Sequence, residues 1–171
     1  DVGAVVGRLR AERQTEGGGD VGPAAVGGLA SGAGRAYVES VRWAAGRGGV
    51  WLAADTFVSP RSYDAALRST GGCLAAVDAV QAGEVESAFC LVRPPGHHAT
   101  SDRAMGFCLF NNIAVAASYL QHRLNYERVL ILDVDAHHGN GTQETFNDTN
   151  RVLYISLHQD PRGFPGTGFI D

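Results

Sequence analysis

The chain has 171 residues, 44% of them hydrophobic, and a net charge of −4, which suits one α/β domain with a sizeable core and is too short for two. No run of Lys or Arg supplies the basic patch that nucleic-acid binding needs, and no apolar run is long enough to span a membrane. Neither partner is expected.

Residues 1–34 form a segment dense in glycine from Gly17 to Gly34, expected to be a loop or poorly ordered. From 35 to 45 the apolar spacing is helical (Tyr37, Val38, Val41, Ala44, Ala45), with Ser31 upstream as a capping candidate. Residues 50–54 are a short hydrophobic piece. Residues 55–60 are expected to be a surface loop that ends at Pro60, where Ser59 can cap a helix with Pro60 in its first position. Helical spacing resumes from Tyr63 through Ala66, Leu67, Gly71, Leu74, Ala75, Val77, Ala79 and Val80, and Gly83 ends it.

A strand is predicted over 87–92, then a loop carrying Arg93-Pro94-Pro95-Gly96-His97-His98-Ala99. A second loop covers 106–110, followed by an alanine-rich amphipathic helix over 113–124. Then come a strand at 128–135, a short helix at 142–146 and a strand at 151–157. The run 129–134 is nearly all apolar, broken only by Asp133, and so reads as a strand buried on both faces. Strands alternating with helices of this length predict βαβ units and a mostly parallel sheet. In such sheets the ligand site lies at the carboxyl ends of the strands, which is where the histidine-bearing segments fall.

Three cysteines, Cys73, Cys90 and Cys108, show no paired spacing and point to reduced thiols. Cys73 and Cys90 are expected to act as small buried hydrophobes. No signal peptide is found, so the expected location is cytoplasmic, or nuclear in a eukaryote. The chain begins at Asp1 without methionine and stops at Asp171 after a turn-rich segment; both features read as a truncated piece of something longer.

The chemistry concentrates in Ile131-Leu132-Asp133-Val134-Asp135-Ala136-His137-His138-Gly139-Asn140-Gly141-Thr142-Gln143. Carboxylates at the end of a buried strand are costly unless they bind metal or are hydrogen-bonded. Asp135 and His137 offer the oxygen and nitrogen donors that zinc accepts, and two residues apart on extended chain they face the same way. Asp133 shares that face deeper in the strand, where orienting a neighbour or holding a monovalent ion suits it. His97 and His98, on a separate loop, suit the roles of base and acid beside a metal-activated water. His122 and His158 are expected to be structural. Binuclear manganese hydrolases of the arginase type carry Asp-Ala-His-x-Asp with a bridging final acid. Here that position is Gly139, which favours a single catalytic metal.

The motifs RPPGHHA, GFCLFNN (106–112), LDVDAHHGNGTQ and SLH…FPGTG resemble the zinc-dependent histone deacetylase family, which also includes acetylpolyamine amidohydrolases and acetoin-utilisation proteins. The wording is nearer its class II-like and bacterial members, and the likeness runs from about Trp51 to Asp171. The resemblance implies a three-layer α/β/α domain of the arginase/deacetylase type. Residues 35–171 would form the N-terminal half, with 1–34 taking no visible part. It implies hydrolysis of an acetyl-amide on an acetylated lysine peptide or a small acetylated polyamine, and a homo-oligomer is compatible with it.

Carried over position by position, the resemblance makes Asp135 and His137 two of three zinc ligands, His98 the general base and His97 its electrostatic or acid partner. Asp133 would orient the first histidine and, with Ser156, Leu157 and backbone near Asp135 and His137, hold a structural potassium ion. Phe146, Thr149 and Val152 fall where a second monovalent ion sits. Gly106, Phe107 and Phe164 match the acyl-lysine tunnel, and Asp55 the acid at its rim. His138 and Asn140 complete the catalytic group, Asn140 standing where some members have an Asp. Cys108 would lie near the metal, with a thiol more open to chemistry than the other two. The third zinc ligand (an Asp), the carbonyl-polarising tyrosine and a later glycine-rich loop would fall beyond Asp171. The alternative from a different class is a non-catalytic deacetylase-like fragment that binds ions, acyl groups or a partner chain without turnover.

Overall fold

The computed structural model describes residues 34–169. The expectations for residues 1–33, including Ser31 as a cap, lie outside the described residues.

Helix α1 (Arg35–Gly46) turns the face carrying Tyr37, Val38, Val41, Ala44 and Ala45 inward, as its spacing predicts. Strands β1 (Val50–Ala53) and β2 (Thr56–Val58) form an antiparallel hairpin with Trp51 opposite Phe57. The expected surface loop at 55–60 is corrected here: Thr56 and Val58 are buried, because their alternation with Phe57 gives the hairpin one face toward the core. Helix α2 (Ser62–Gln81) starts two residues after Pro60. Ser59 does not cap it by side chain. Instead the Ser59 amide donates to Ser62 Oγ at 2.9 Å and the Ser62 amide to the Ser59 carbonyl at 3.0 Å, a turn that delays the helix.

Helix α3 (Asn112–His122) is capped by Asn111, whose side chain accepts from the Ala114 amide at 3.1 Å. Strand β3 (Val129–Asp133), helix α4 (Asn140–Phe146) and strand β4 (Val152–Ser156) complete the order. β3 and β4 pair in parallel from Val129 opposite Val152 to Asp133 opposite Ser156, the βαβ arrangement expected from the sequence.

Two apolar clusters meet at α3. One gathers α1, the hairpin and α2 around Leu109, Phe110 and Val115, with Tyr37 and Tyr63 both edge-on to Phe110. The other joins Ala114 and Ala117 of α3 to Ile131, Phe146 and Val152. The small side chains of α3 allow close approach on both sides, so burying one helix serves both clusters. Asn112 ties α3 to α2 and to the loop at Pro94 with polar contacts: it accepts from Thr70 Oγ1 at 2.7 Å and donates to Ser69 Oγ and the Pro94 carbonyl. No buried side-chain nitrogen or oxygen among the described residues lacks a partner.

Two further expectations are corrected. Residues 87–92 form no strand, since no second strand among the described residues supplies a ladder for them. The strand around Asp133 is not buried on both faces. Leu130, Leu132 and Val134, with Leu153, Ile155 and Leu157 alongside, are exposed, while Ile131 and Asp133 turn inward. Helices α3 and α4 cover a single face, which leaves a period-two pattern in place of the uniform one.

Asn111 also donates to the Ala99 carbonyl and to Thr142 Oγ1 while fully buried. Asn111→Ala removes a cap and strands two buried partners, and is expected to cost about 2 kcal/mol. Urea denaturation measures this, and an unchanged midpoint would show that the cap contributes nothing to stability.

Candidate active site

The site is built where β3 ends. Asp133 is buried there, and both of its oxygens are engaged: Oδ1 accepts from the Asp135 amide at 3.1 Å, and Oδ2 from the His97 ring and the Tyr154 hydroxyl, each at 2.9 Å. Burial works to raise its pKa. The His97 hydrogen bond and charge, the Asp135 amide and the Tyr154 hydroxyl outweigh burial and hold it below the ordinary carboxylate value. Tyr154 is pushed up, first by burial and then by the neighbouring carboxylate.

His97 and His98 are both buried, with ring centroids 4.0 Å apart. His97 Nδ1 faces Asp133, leaving Nε2 3.8 Å from Asp135 Oδ1. His98 Nδ1 lies 2.8 Å from Asn140 Oδ1. The Asn140 amide nitrogen donates to the His98 carbonyl and Met105 Sδ, which fixes the flip of the amide. Oδ1 can only accept, so the geometry assigns the His98 proton to Nδ1 and leaves its Nε2 as an acceptor. Burial and then His97 push His98 down to about 4, against the Asn140 hydrogen bond and the Asp135 charge.

Asp135 and His137 converge from the loop after β3. Asp135 Oδ1 accepts from the His137 amide at 2.8 Å and lies 3.2 Å from His137 Nδ1. Two donors on a tetrahedral zinc with bonds of about 2.0–2.1 Å stand about 3.3 Å apart, so this spacing fits two positions of a zinc ligand set. Among the described residues, no group of three His, Cys, Asp or Glu is arranged to hold a metal. A catalytic zinc takes three protein ligands, and these residues supply two.

Glycines make the room. A Cβ on Gly106, at φ +57°, would run into the His98 ring, and one on Gly139 would overlap the Tyr154 hydroxyl and Asp133 Oδ2. No acid fits at 139, so an arginase-like bridging carboxylate is sterically barred there. Phe164 stands edge-on to His98 and His137, at 4.8 and 5.7 Å. Phe107, half exposed, is bolted to the hairpin: its amide donates to Thr56 Oγ1 at 3.0 Å, and Gly106 donates to Asp55 Oδ1 at 3.2 Å.

His138 is hydrogen-bonded to Thr167 and Gln143, and its ring is 4.9 Å from that of His158. Burial lowers its pKa. Ser156 Oγ pairs with His158 Nδ1, and the Leu157 amide donates to the Asp133 carbonyl. Phe146 and Val152 are buried in the second cluster, and Thr149 donates its amide to the Phe146 carbonyl. One expectation is corrected. Cys108 is fully buried and its thiol is pushed up to about 12, first by burial; a buried neutral thiol is inert.

Sequence reasoning did not single out Tyr154, Thr56, Gln143 or Thr167. For Tyr154 a signal existed: two residues before Ser156 on the same strand, it shares that residue's face. The others act through loop geometry that leaves no periodic trace.

His98 sets a pH dependence. Its folded value lies below the ordinary 6.5, so its contribution to stability is complete above pH 6.5 and lost as pH falls toward 4, where the unfolded chain takes up the proton first. The stability difference between the metal-free chain and His98→Gln is expected to shrink over that window. A difference that stays flat from pH 7 to 4 would refute the assignment.

Residues 23–171 match the sequence profile of the histone deacetylase domain. A "Probable deacetylase" of Methanothermobacter thermautotrophicus is 53% identical over 137 residues, covering 79% of this chain and 40% of that protein. A "Histone deacetylase-like amidohydrolase" of Pseudomonas aeruginosa is 49% identical over 133 residues, 76% of this chain and 35% of that one. The crystal structure of the HD domain of HDA15 superposes with a TM-score of 0.83 at 41% identity, over 86% of this chain and 42% of that chain. The chain thus spans about two-fifths or less of the length of these relatives. With the arginase/deacetylase fold shared and the profile matched over most of its length, the chain belongs to the histone deacetylase domain family.

Proposed function

We propose that this chain provides the tandem-histidine part of a zinc-dependent deacetylase site that hydrolyses an acetyl-amide, on an acetylated lysine side chain or a small acetylated polyamine. The observation that carries the proposal is the pair of buried histidines whose Nδ1 atoms are each held by an acceptor, Asp133 for His97 and Asn140 for His98. With Nδ1 engaged in each ring, Nε2 is the atom left for general acid–base chemistry.

Neutral His98 accepts at Nε2 the proton of the attacking water. A histidine of the pair returns one to the leaving amine nitrogen, so acetate and free amine form with protons in balance. Asp133 keeps His97 oriented and favours positive charge beside the developing oxyanion. Asp135 and His137 would hold the zinc together with a third donor, and the metal supplies Lewis-acid polarisation of the acetyl carbonyl. Phe107 and Phe164 flank the aliphatic stem of the substrate, and Asp55 stands at the rim. A structural potassium ion is proposed beside Asp133, Ser156 and Leu157, and a second monovalent ion at the carbonyls of Phe146, Thr149 and Val152.

The second reading is a deacetylase-like chain that binds ions, acyl groups or a partner without turnover. Grafting residues 34–169 in place of the matching region of the Pseudomonas relative separates the two. The graft is expected to carry zinc and to release acetate from an acetyl-lysine peptide. His98→Ala is expected to cut its rate ~10²- to 10⁴-fold with metal retained, and His137→Ala to lose the metal. A folded, zinc-loaded graft with no His98-dependent rate would favour the binding reading.

A further inference from the structure

Residues 105–108 form a tight hairpin of their own. The Cys108 amide donates to the Met105 carbonyl at 2.9 Å, and the Met105 amide to the Cys108 carbonyl at 3.2 Å. Both central residues are left-handed, Gly106 at φ +57° and Phe107 at φ +65°, as a type I′ turn requires. Glycine accepts that conformation, whereas a bulky aromatic residue resists it. Packing does not compensate, because Phe107 is about half exposed.

What holds the turn is a pair of side chains at the tip of the β1–β2 hairpin. The Gly106 amide donates to Asp55 Oδ1 at 3.2 Å and the Phe107 amide to Thr56 Oγ1 at 3.0 Å. All four amides of 105–108 are thereby engaged. The Thr56 hydroxyl has one proton, and it goes to Asp55 Oδ1 at 2.8 Å. Toward Phe107 the same oxygen can therefore only accept. Thr56 is buried, which keeps water from competing for either bond. The turn is confined from a second direction as well: a Cβ on Gly106 would enter the His98 ring, and Phe164 meets that ring edge-on at 4.8 Å.

We propose that Thr56 is a positioning residue for the substrate channel. Its hydroxyl holds Phe107 in the left-handed conformation and so fixes where the aromatic ring stands relative to His98, which sets the slot that takes the aliphatic stem of an acetylated amine. The proposal rests on the reading of this site as an acetyl-amide hydrolase. Thr56 touches no reacting atom, and Asp55 serves it by fixing the direction of the hydroxyl. Without the Thr56 bond, Phe107 relaxes toward negative φ and its ring swings off the stem. His98 keeps its orientation, because that comes from Asn140 and not from the turn. Binding of the stem therefore weakens while proton transfer persists.

Amide hydrogen exchange in the full 171-residue chain reads the clamp without metal or substrate. Thr56→Val keeps the side-chain shape and removes the hydroxyl. It is expected to speed exchange at the Phe107 amide about tenfold. The Val115 amide of α3, bonded to the Asn111 carbonyl at 3.0 Å, is expected to stay unchanged, and Thr56→Ser to restore slow exchange at Phe107. In the graft of residues 34–169 into the Pseudomonas relative, Thr56→Val is expected to raise KM for an acetyl-lysine peptide about fivefold with kcat within about twofold, the pattern of lost ground-state binding. Thr56→Ser recovers the KM, and on a Phe107→Ala background Thr56→Val adds nothing. Unchanged Phe107 exchange in Thr56→Val overturns the proposal. Equal acceleration at Val115 does so too, since it marks a residue that supports only the fold, as does a KM effect that persists without the Phe107 ring. A graft with no rate while Thr56 is intact overturns the hydrolase reading instead, and Phe107 exchange still decides the clamp.

Discussion

The structure depends on keeping Asp133 ionised inside the protein. A carboxylate taken out of water costs several kcal/mol unless its lone pairs are used. Here an amide, a ring nitrogen and a phenol use them, and the backbone of the same residue holds β3 to β4 and to the segment after β4. Each partner is itself a constraint. The Asp135 amide bends the chain into the loop that carries Asp135 and His137, and the His97 ring fixes the carboxylate from the other side of the site. Tyr154 transmits the register of β4. Gly139 is small because the space its side chain would need is filled by this carboxylate and its phenol partner.

From that point the pair of histidines acquires different chemistry. His97 is oriented by a charged acceptor and His98 by a neutral amide, and burial and then its neighbour push His98 down. Two side chains of the same type and adjacent in sequence thus receive distinct environments from Asp133 and Asn140.

Much of this was legible in the sequence because it is carried by residue type at fixed spacing. Helix α1 shows its buried face in the positions of Val38, Val41 and Ala45, and the parallel pairing of β3 and β4 follows from a helix between two apolar runs. The contact of Asp133 with His97 was implied by the family motif. What escaped was set by context. Residues 87–92 have strand composition but no described neighbour to pair with. Thr56 and Val58 sit in a stretch that reads as loop until the hairpin turns one face inward. Cys108 seemed reactive from its nearness to the metal donors, yet complete burial decides the protonation of a thiol.

The exposed apolar face of β3 and β4 follows from the same logic of layers. In a three-layer domain a parallel strand is covered on both sides, and Leu130, Leu132, Leu153 and Ile155 have the composition for it. The polar side chains take the opposite course: Asp133 and Tyr154 point toward the layer that α3 and α4 already cover, alongside Ile131. The buried carboxylate is therefore anchored by the face that these residues complete themselves. That explains how Asp133, His97, His98 and Asn140 hold their mutual geometry through contacts made within this part of the domain.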